Sequence, residues 1–247
     1  MIKGLLFDLN GTLIDIMTNE YDDNVYRTTA NFLSYYNVVI SPEILKEKFF
    51  NLNRKQRNSS CEEFPEFDSA KIFSDIITEF SQENIDNIEL LSAAASRVFR
   101  SSSRFKLELY PGVTSTLCAL LDKYKMAAVT DGQTLWAVPE LQACKIDKFF
   151  SFIIVSGDYG FRKPDCRLFD IASEKFALPK DEIIFIGNDM YRDVYGAKRA
   201  GMKSIFFKSN QGSQSFYGEE PDYIIYNIPQ LLDAVCFLEN HSLDRMR

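Results

Sequence analysis

Leu5-Leu6-Phe7-Asp8-Leu9-Asn10-Gly11-Thr12 is the stretch on which the fold turns. An unbroken apolar run marks a parallel strand buried on both faces. Here it stops at a carboxylate, followed by an amide, a glycine and a hydroxyl. Ligands of open α/β sheets gather at the carboxyl ends of the strands, so Asp8 stands where a nucleophile or metal ligand is useful. Asn10 has no proton to exchange near neutral pH, which excludes a proton shuttle at that position.

From about residue 108 onward, a short apolar run, a Gly/Asp turn and an amphipathic stretch repeat. The apolar runs are 126–130, 152–156, 183–187, 204–207 and 223–226, with helical patterns at 112–124, 134–143, 166–176, 190–201 and 228–239. Strands alternating with helices of this length predict βαβ units, a parallel sheet and right-handed crossovers. Residues 15–105 differ, with helical periodicity at 21–36, 42–53, 68–81 and 84–102 and few strand-like runs. Ser41 and Pro42 supply an N-cap and a first helical residue for the second of these helices. A helical block inserted after the first strand predicts a lid. Residues 1–14 and 106–247 then form the α/β core and 15–105 the helical cap, with hinges near 13–18 and 105–111. The run Arg54-Lys55-Gln56-Arg57-Asn58-Ser59-Ser60 reads as the most polar loop of the lid, facing solvent.

The 247 residues are 46% hydrophobic, enough for a sizeable core, and carry a formal charge of −7. That charge argues against nonspecific binding to nucleic acid or an anionic membrane, both of which need a positive field. No apolar run approaches the roughly 20 residues of a membrane span, and no secretory signal pattern opens the chain. Cys61, Cys118, Cys144, Cys166 and Cys236 never form a CxxC pair and read as free, buried thiols of a reducing cytoplasm. The single histidine, His241, lies in a polar tail, which leaves no support for a Ser-His-Asp triad or a zinc site. Chemistry must then run on carboxylates, hydroxyls, amides and lysines.

Four segments beyond the apolar runs hold such groups: Asp8 to Thr12; Thr130-Asp131-Gly132; Lys163-Pro164-Asp165; and Gly187-Asn188-Asp189-Met190-Tyr191-Arg192-Asp193. Brought to one sheet edge, they describe a phosphate-handling site. Asp8 is able to attack phosphorus and form an acyl phosphate. Thr130 offers a hydroxyl to a phosphoryl oxygen, and Lys163 offers positive charge. Asp189 and Asp193 are spaced to join Asp8 around a hard cation, and Mg²⁺ prefers few carboxylates plus water and phosphate.

These four segments, as LLFDLNGT, AAVTDG, RKPD and IIFIGNDMYRD, resemble in order the motifs of the haloacid dehalogenase-like (HAD) superfamily. The likeness spans residues 1 to about 210, and the helical insert falls in the expected gap. It implies a Rossmann-like three-layer core with a central parallel sheet and a helical cap. It further implies a Mg²⁺-dependent phosphatase acting on a small phosphorylated metabolite, with Asp8 as nucleophile, Thr130 as phosphate ligand and Lys163 as charge stabiliser. Phosphate contacts would come from Asp8, Leu9, Asn10, Thr130, Asp131 and Lys163. Mg²⁺ would be held by Asp8, the main-chain carbonyl of Asn10, and a group among Asn188, Asp189 and Asp193. The two aspartates are preferred over Asn188, because an amide oxygen binds Mg²⁺ more weakly than a carboxylate.

Asn10 departs from the motif. The superfamily's phosphatases carry aspartate there, which protonates the leaving alcohol and then activates water. Asparagine keeps the size and the main-chain carbonyl but loses the proton, and such assistance is worth about 10²–10⁴ in rate. Three readings of Asn10 stand at this point. It is the natural residue of a slow phosphatase; or it replaces an aspartate so as to trap a complex; or the scaffold serves a reaction that needs no acid there. A haloacid dehalogenase and a non-catalytic protein that binds a phosphorylated metabolite are the alternatives to a phosphatase.

Overall fold

The structure is a computed structural model that describes residues 1–244, with side chains described through Asn240. The side chain of His241 therefore lies outside the described residues. Six parallel strands form the central sheet: β1 (Gly4–Phe7), β4 (Lys125–Thr130), β5 (Ile153–Val155), β6 (Ile183–Gly187), β7 (Lys203–Phe207) and β8 (Tyr223–Ile225). Their order is β5-β4-β1-β6-β7-β8. After the helical insertion the chain builds outward from β1 through β4 to β5, then returns to β6 on the other side of β1 and builds outward again. The direction reverses beside β1, and a crevice opens at such a reversal.

Both faces of the sheet are covered, which is why its strands are apolar without alternation. Leu5 and Phe7 of β1, Met126 and Ala128 of β4, and Ile184 and Ile186 of β6 point into one core. That core is closed by α5 (Val113–Leu121) and α9 (Leu231–Asp244). The intervening residues Leu6, Val129 and Phe185 point into the opposite core, closed by α7 (Cys166–Phe176) and the short α8 (Gly196–Arg199). This is the Rossmann-like three-layer α/β arrangement that the periodicity and the motifs imply. Among the described residues, no helix is long and apolar enough to cross a membrane.

Four helices, α1 (Asp23–Ser34), α2 (Pro42–Ser59), α3 (Ser69–Phe80) and α4 (Ile88–Ser103), enclose a third core. Phe99 stacks on Phe49 at 4.3 Å between ring centroids and lies 5.8 Å from Phe73. Trp136, from α6 (Thr134–Ala143), inserts into the same cluster and donates its indole N–H to Ser96 Oγ at 2.9 Å.

Two expectations are corrected, on the polar run and on the cysteines, and the segments read as hinges take a defined form. The two segments read as hinges are strands, β2 (Ile14–Thr18) and β3 (Arg104–Leu109), paired antiparallel with Ile14 opposite Leu109. Ile14 and Ile16 turn into the sheet core while Asp15 pairs with Lys106 across the ribbon. The polar run at 54–60 is mostly helix, because α2 continues to Ser59. Lys, Arg and Gln are good helix formers, and Arg57 in the last turn complements the helix dipole. Arg54 and Lys55 face solvent as expected, but Arg57 does not. The five cysteines are free, but three are exposed and two partly exposed.

The stacked aromatic cluster makes the third core sensitive to truncation. Phe99→Ala removes a fully buried ring and is expected to cost about 3–5 kcal/mol, read as a lowered midpoint in urea denaturation. An unchanged midpoint would mean that the ring carries no packing energy.

Candidate active site

Three strand ends, β4, β1 and β6, lie side by side in the sheet and deliver Thr130, Asp8 and Asn188 to one crevice. Asp8 is 6% exposed. Its Oδ1 accepts from Lys163 Nζ at 2.7 Å and its Oδ2 from Thr12 Oγ1 at 2.8 Å. Gly11 makes this turn with φ of +83°, and a Cβ there would meet Asn188 Nδ2 at 2.4 Å. Only glycine accepts both the conformation and the close approach.

Lys163 is 2% exposed, and its ammonium also donates to Asp193 Oδ1 at 2.6 Å. Burial alone would drive off its proton, but Asp193 and Asp8 outweigh that effect and raise the group above the ordinary lysine range. The Phe185 ring beneath, 5.3 Å from Nζ, adds a further favourable contact. Lys163 is thus a permanent cation between two buried carboxylates.

The fourth motif folds as a π-helical turn, Met190–Tyr195, running into α8. Asp189 caps the turn. Its Oδ1 accepts from the amides of Tyr191 and Arg192 at 3.0 and 2.8 Å. Its Oδ2 accepts from Arg192 Nε and the Ser213 amide, each at 3.0 Å. Burial opposes its ionisation, yet Arg192 and these amides hold its carboxyl below the usual range. Asp193 turns its Oδ2 onto the amides of Asn188 and Asp189, each at 3.0 Å. Burial pushes the Asp193 carboxyl upward while Lys163 pulls it back.

Of the residues expected around the cation, Asn188 and not Asp189 or Asp193 faces the cavity. Asp189 and Asp193 spend their oxygens on the loop and on Lys163, whereas Asn188 lines the cavity. Asn188 Oδ1 accepts from Thr12 Oγ1 at 3.0 Å, beside Asp8 Oδ2 on the same hydroxyl. Among the described residues, no three Asp, Glu, His or Cys side chains gather as a metal cluster. The residues present still fit a hard cation with a single carboxylate. Asp8, the Asn188 amide oxygen and the Asn10 carbonyl are hard oxygen donors, and Mg²⁺ accepts one carboxylate when water and phosphate complete its shell.

A cavity of about 370 Å³ opens over these groups. Asn10, Thr130 and Asp131 line it. Leu9 does not: its side chain is buried in the sheet core, which leaves only its main chain for any contact with phosphate. Asp131 organises the wall, accepting from the Lys163 amide at 3.0 Å and facing Arg162 and Arg192, each at 3.5 Å. The remaining wall includes Glu20, Arg57, Glu66, Arg100 and Arg162, to which the motifs assign no role; in the sequence Arg57 reads as facing solvent. All but Arg162 come from the segment between β2 and β3, which carries no motif. Glu66 binds Ser156 Oγ at 2.9 Å, and Pro65 bridges Phe161, joining this segment to the sheet side of the cavity.

Comparison with known proteins places this geometry in context. Residues 5–207 match the profile of the haloacid dehalogenase-like hydrolases. A glyceraldehyde 3-phosphate phosphatase of Pyrococcus furiosus is 28% identical over 95% of this chain and 93% of its own. A phosphoglycolate phosphatase of Escherichia coli K12 is 26% identical over 95% of this chain and 92% of its own. In fold, the chain is similar to a 2-haloacid dehalogenase of Pseudomonas syringae pv. Tomato DC3000. The TM-score is 0.69 at 21% identity, covering 96% of this chain and 99% of that one. A HAD phosphatase from Thermococcus onnurineus superposes with a TM-score of 0.59 at 22% identity, covering 95% and 98% of the two chains.

Lys163 carries the electrostatic balance of the site. Lys163→Met leaves two buried carboxylates facing each other and is expected to cost about 3–5 kcal/mol in urea denaturation. A loss below about 1 kcal/mol, the size of an exposed pair, would contradict this assignment.

Proposed function

The chain belongs to the haloacid dehalogenase-like hydrolase family and is a hydrolase of the phosphatase type, and we propose that it cleaves a small phosphomonoester through an aspartyl-phosphate on Asp8. The observation that carries this reading is the clamp on Asp8. Lys163 holds one carboxylate oxygen and Thr12 the other, which fixes the nucleophile at the floor of a cavity lined by arginine. Positioning and charge compensation are what phosphoryl transfer chiefly requires.

Asp8 attacks phosphorus. Lys163 offsets the charge that accumulates on Asp8 and the phosphoryl oxygens, and the Thr130 hydroxyl donates to one of those oxygens. Arg162 and Arg192, ordered by Asp131, add positive charge at the wall. Mg²⁺, held by Asp8, the Asn10 carbonyl and Asn188, would screen the repulsion between phosphate and the attacking carboxylate. Residues 15–105 act as a cap over the core formed by 1–14 and 106–247, and contacts such as Glu66 to Ser156 close it and exclude bulk water. The substrate is a small phosphorylated metabolite. The cavity volume lies at the lower end of ligand sites, and two of the similar proteins are a glyceraldehyde 3-phosphate phosphatase and a phosphoglycolate phosphatase.

Release of inorganic phosphate from p-nitrophenyl phosphate tests this reading. Activity is expected to depend on Mg²⁺, to vanish in EDTA and to be lost in Asp8→Asn. Phosphate release that survives in Asp8→Asn, or that is undiminished in EDTA, would overturn it.

A further inference from the structure

Hydrolysis through an acyl phosphate needs a proton for the leaving oxygen and a base for the attacking water, and Asn10 supplies neither. The cavity wall holds four carboxylates that could do so: Asp8, Glu20, Glu66 and Asp131. Asp8 is the nucleophile, and both its oxygens are engaged. Glu66 is equally committed. Its Oε1 accepts from Arg57 at 3.2 Å and the Phe67 amide at 3.0 Å, and its Oε2 from Ser156 Oγ at 2.9 Å. Asp131 accepts from the Lys163 amide and faces two guanidinium groups.

Glu20 differs from all three. Within 4 Å its carboxylate has one charged neighbour, Arg100, at 3.9 Å, too long for a hydrogen bond. Arg100 is already engaged by Glu140 through two contacts of 2.7 and 3.3 Å. The backbone of Glu20 is fixed, because Tyr26 donates its hydroxyl to the Glu20 carbonyl at 2.7 Å. A free carboxyl on a fixed backbone, in the cavity that holds Asp8 and Asn10, is what a displaced acid–base group requires.

Resting on the phosphatase reading above, we propose that Glu20 is the general acid–base of this enzyme, in place of the residue at position 10. Burial raises the Glu20 carboxyl above the usual range, and the opposing charges of Arg100 from α4 and Arg57 from α2 do not cancel that effect. A raised carboxyl is better suited to carry a proton toward neutral pH. In the first step an Asp8 oxygen bonds to phosphorus and the ester P–O bond breaks. Its electron pair stays on the leaving oxygen, which takes the proton of Glu20 and departs as an alcohol. In the second step water attacks the same phosphorus and gives its proton to the Glu20 carboxylate. The bond from Asp8 to phosphorus breaks, releasing inorganic phosphate and restoring both side chains.

The test compares Glu20→Gln with the parent in rapid-quench kinetics on two substrates. Glycerol phosphate has a poor leaving group that needs the proton, and p-nitrophenyl phosphate has a good one that does not. In Glu20→Gln, turnover of glycerol phosphate is expected to fall by about 10²–10⁴. With p-nitrophenyl phosphate a burst of nitrophenolate should persist, followed by a slowed steady state, because only the second step then lacks its base. The double variant Asn10→Asp/Glu20→Gln should recover glycerol phosphate turnover. Loss of the burst together with turnover, or glycerol phosphate turnover within about threefold of the parent, would overturn the role of Glu20. A parent inert to glycerol phosphate whose Asn10→Asp variant is active would also overturn it while leaving the phosphatase reading intact. Inactivity of both forms on both substrates would overturn the two together.

Discussion

One buried ammonium governs the site. Lys163 sits between Asp8 and Asp193 at hydrogen-bond distance from each, with almost no access to water. Two carboxylates could not share so dry a place without it. Through its hydrogen bond to Oδ1 the lysine fixes the Asp8 carboxylate, the group proposed to attack phosphorus. Through Asp193, whose other oxygen grips the amides of Asn188 and Asp189, it fixes the loop that presents Asn188 to the cavity. The Asp8 carboxylate, the loop and the charge balance are therefore parts of one electrostatic arrangement, and none is adjustable alone.

The rest of the fold serves that arrangement. The reversal of strand order beside β1 puts Asp8 between the ends of β4 and β6. Glycine at position 11 turns the chain tightly enough for Thr12 to reach both Asp8 and Asn188. The β2–β3 ribbon carries the chain out to the four helices and back; the turn before α1 returns Glu20 to the cavity wall, and α2 and α4 return Arg57 and Arg100. The helical segment thereby supplies chemistry to a cavity whose floor belongs to the sheet.

Much of this was legible in the sequence, for a physical reason. Asp8, Thr130 and Lys163 follow apolar runs or a proline-marked turn, and buried parallel strands announce themselves by continuous hydrophobicity. That Asn188 rather than Asp189 faces the cavity was not legible. It depends on a π-helical turn that swings Asp193 back onto the amides of residues 188 and 189, and residue spacing alone does not reveal a π turn. The ribbon was missed because its partners are remote: Asp15 and Lys106 are 91 residues apart and belong to no local pattern. Arg57 read as part of a polar loop, since helix propensity alone did not show that α2 continued to Ser59. Glu20 carries no motif and becomes visible only when the competing carboxylates of the cavity are seen to be engaged.

The most direct test of the central claim is mass spectrometry of the parent enzyme, acid-quenched within one turnover of p-nitrophenyl phosphate. The account predicts one added phosphoryl group on the peptide containing Asp8, lost again as inorganic phosphate appears. Phosphate release without any adduct, or an adduct on a different residue, would contradict it.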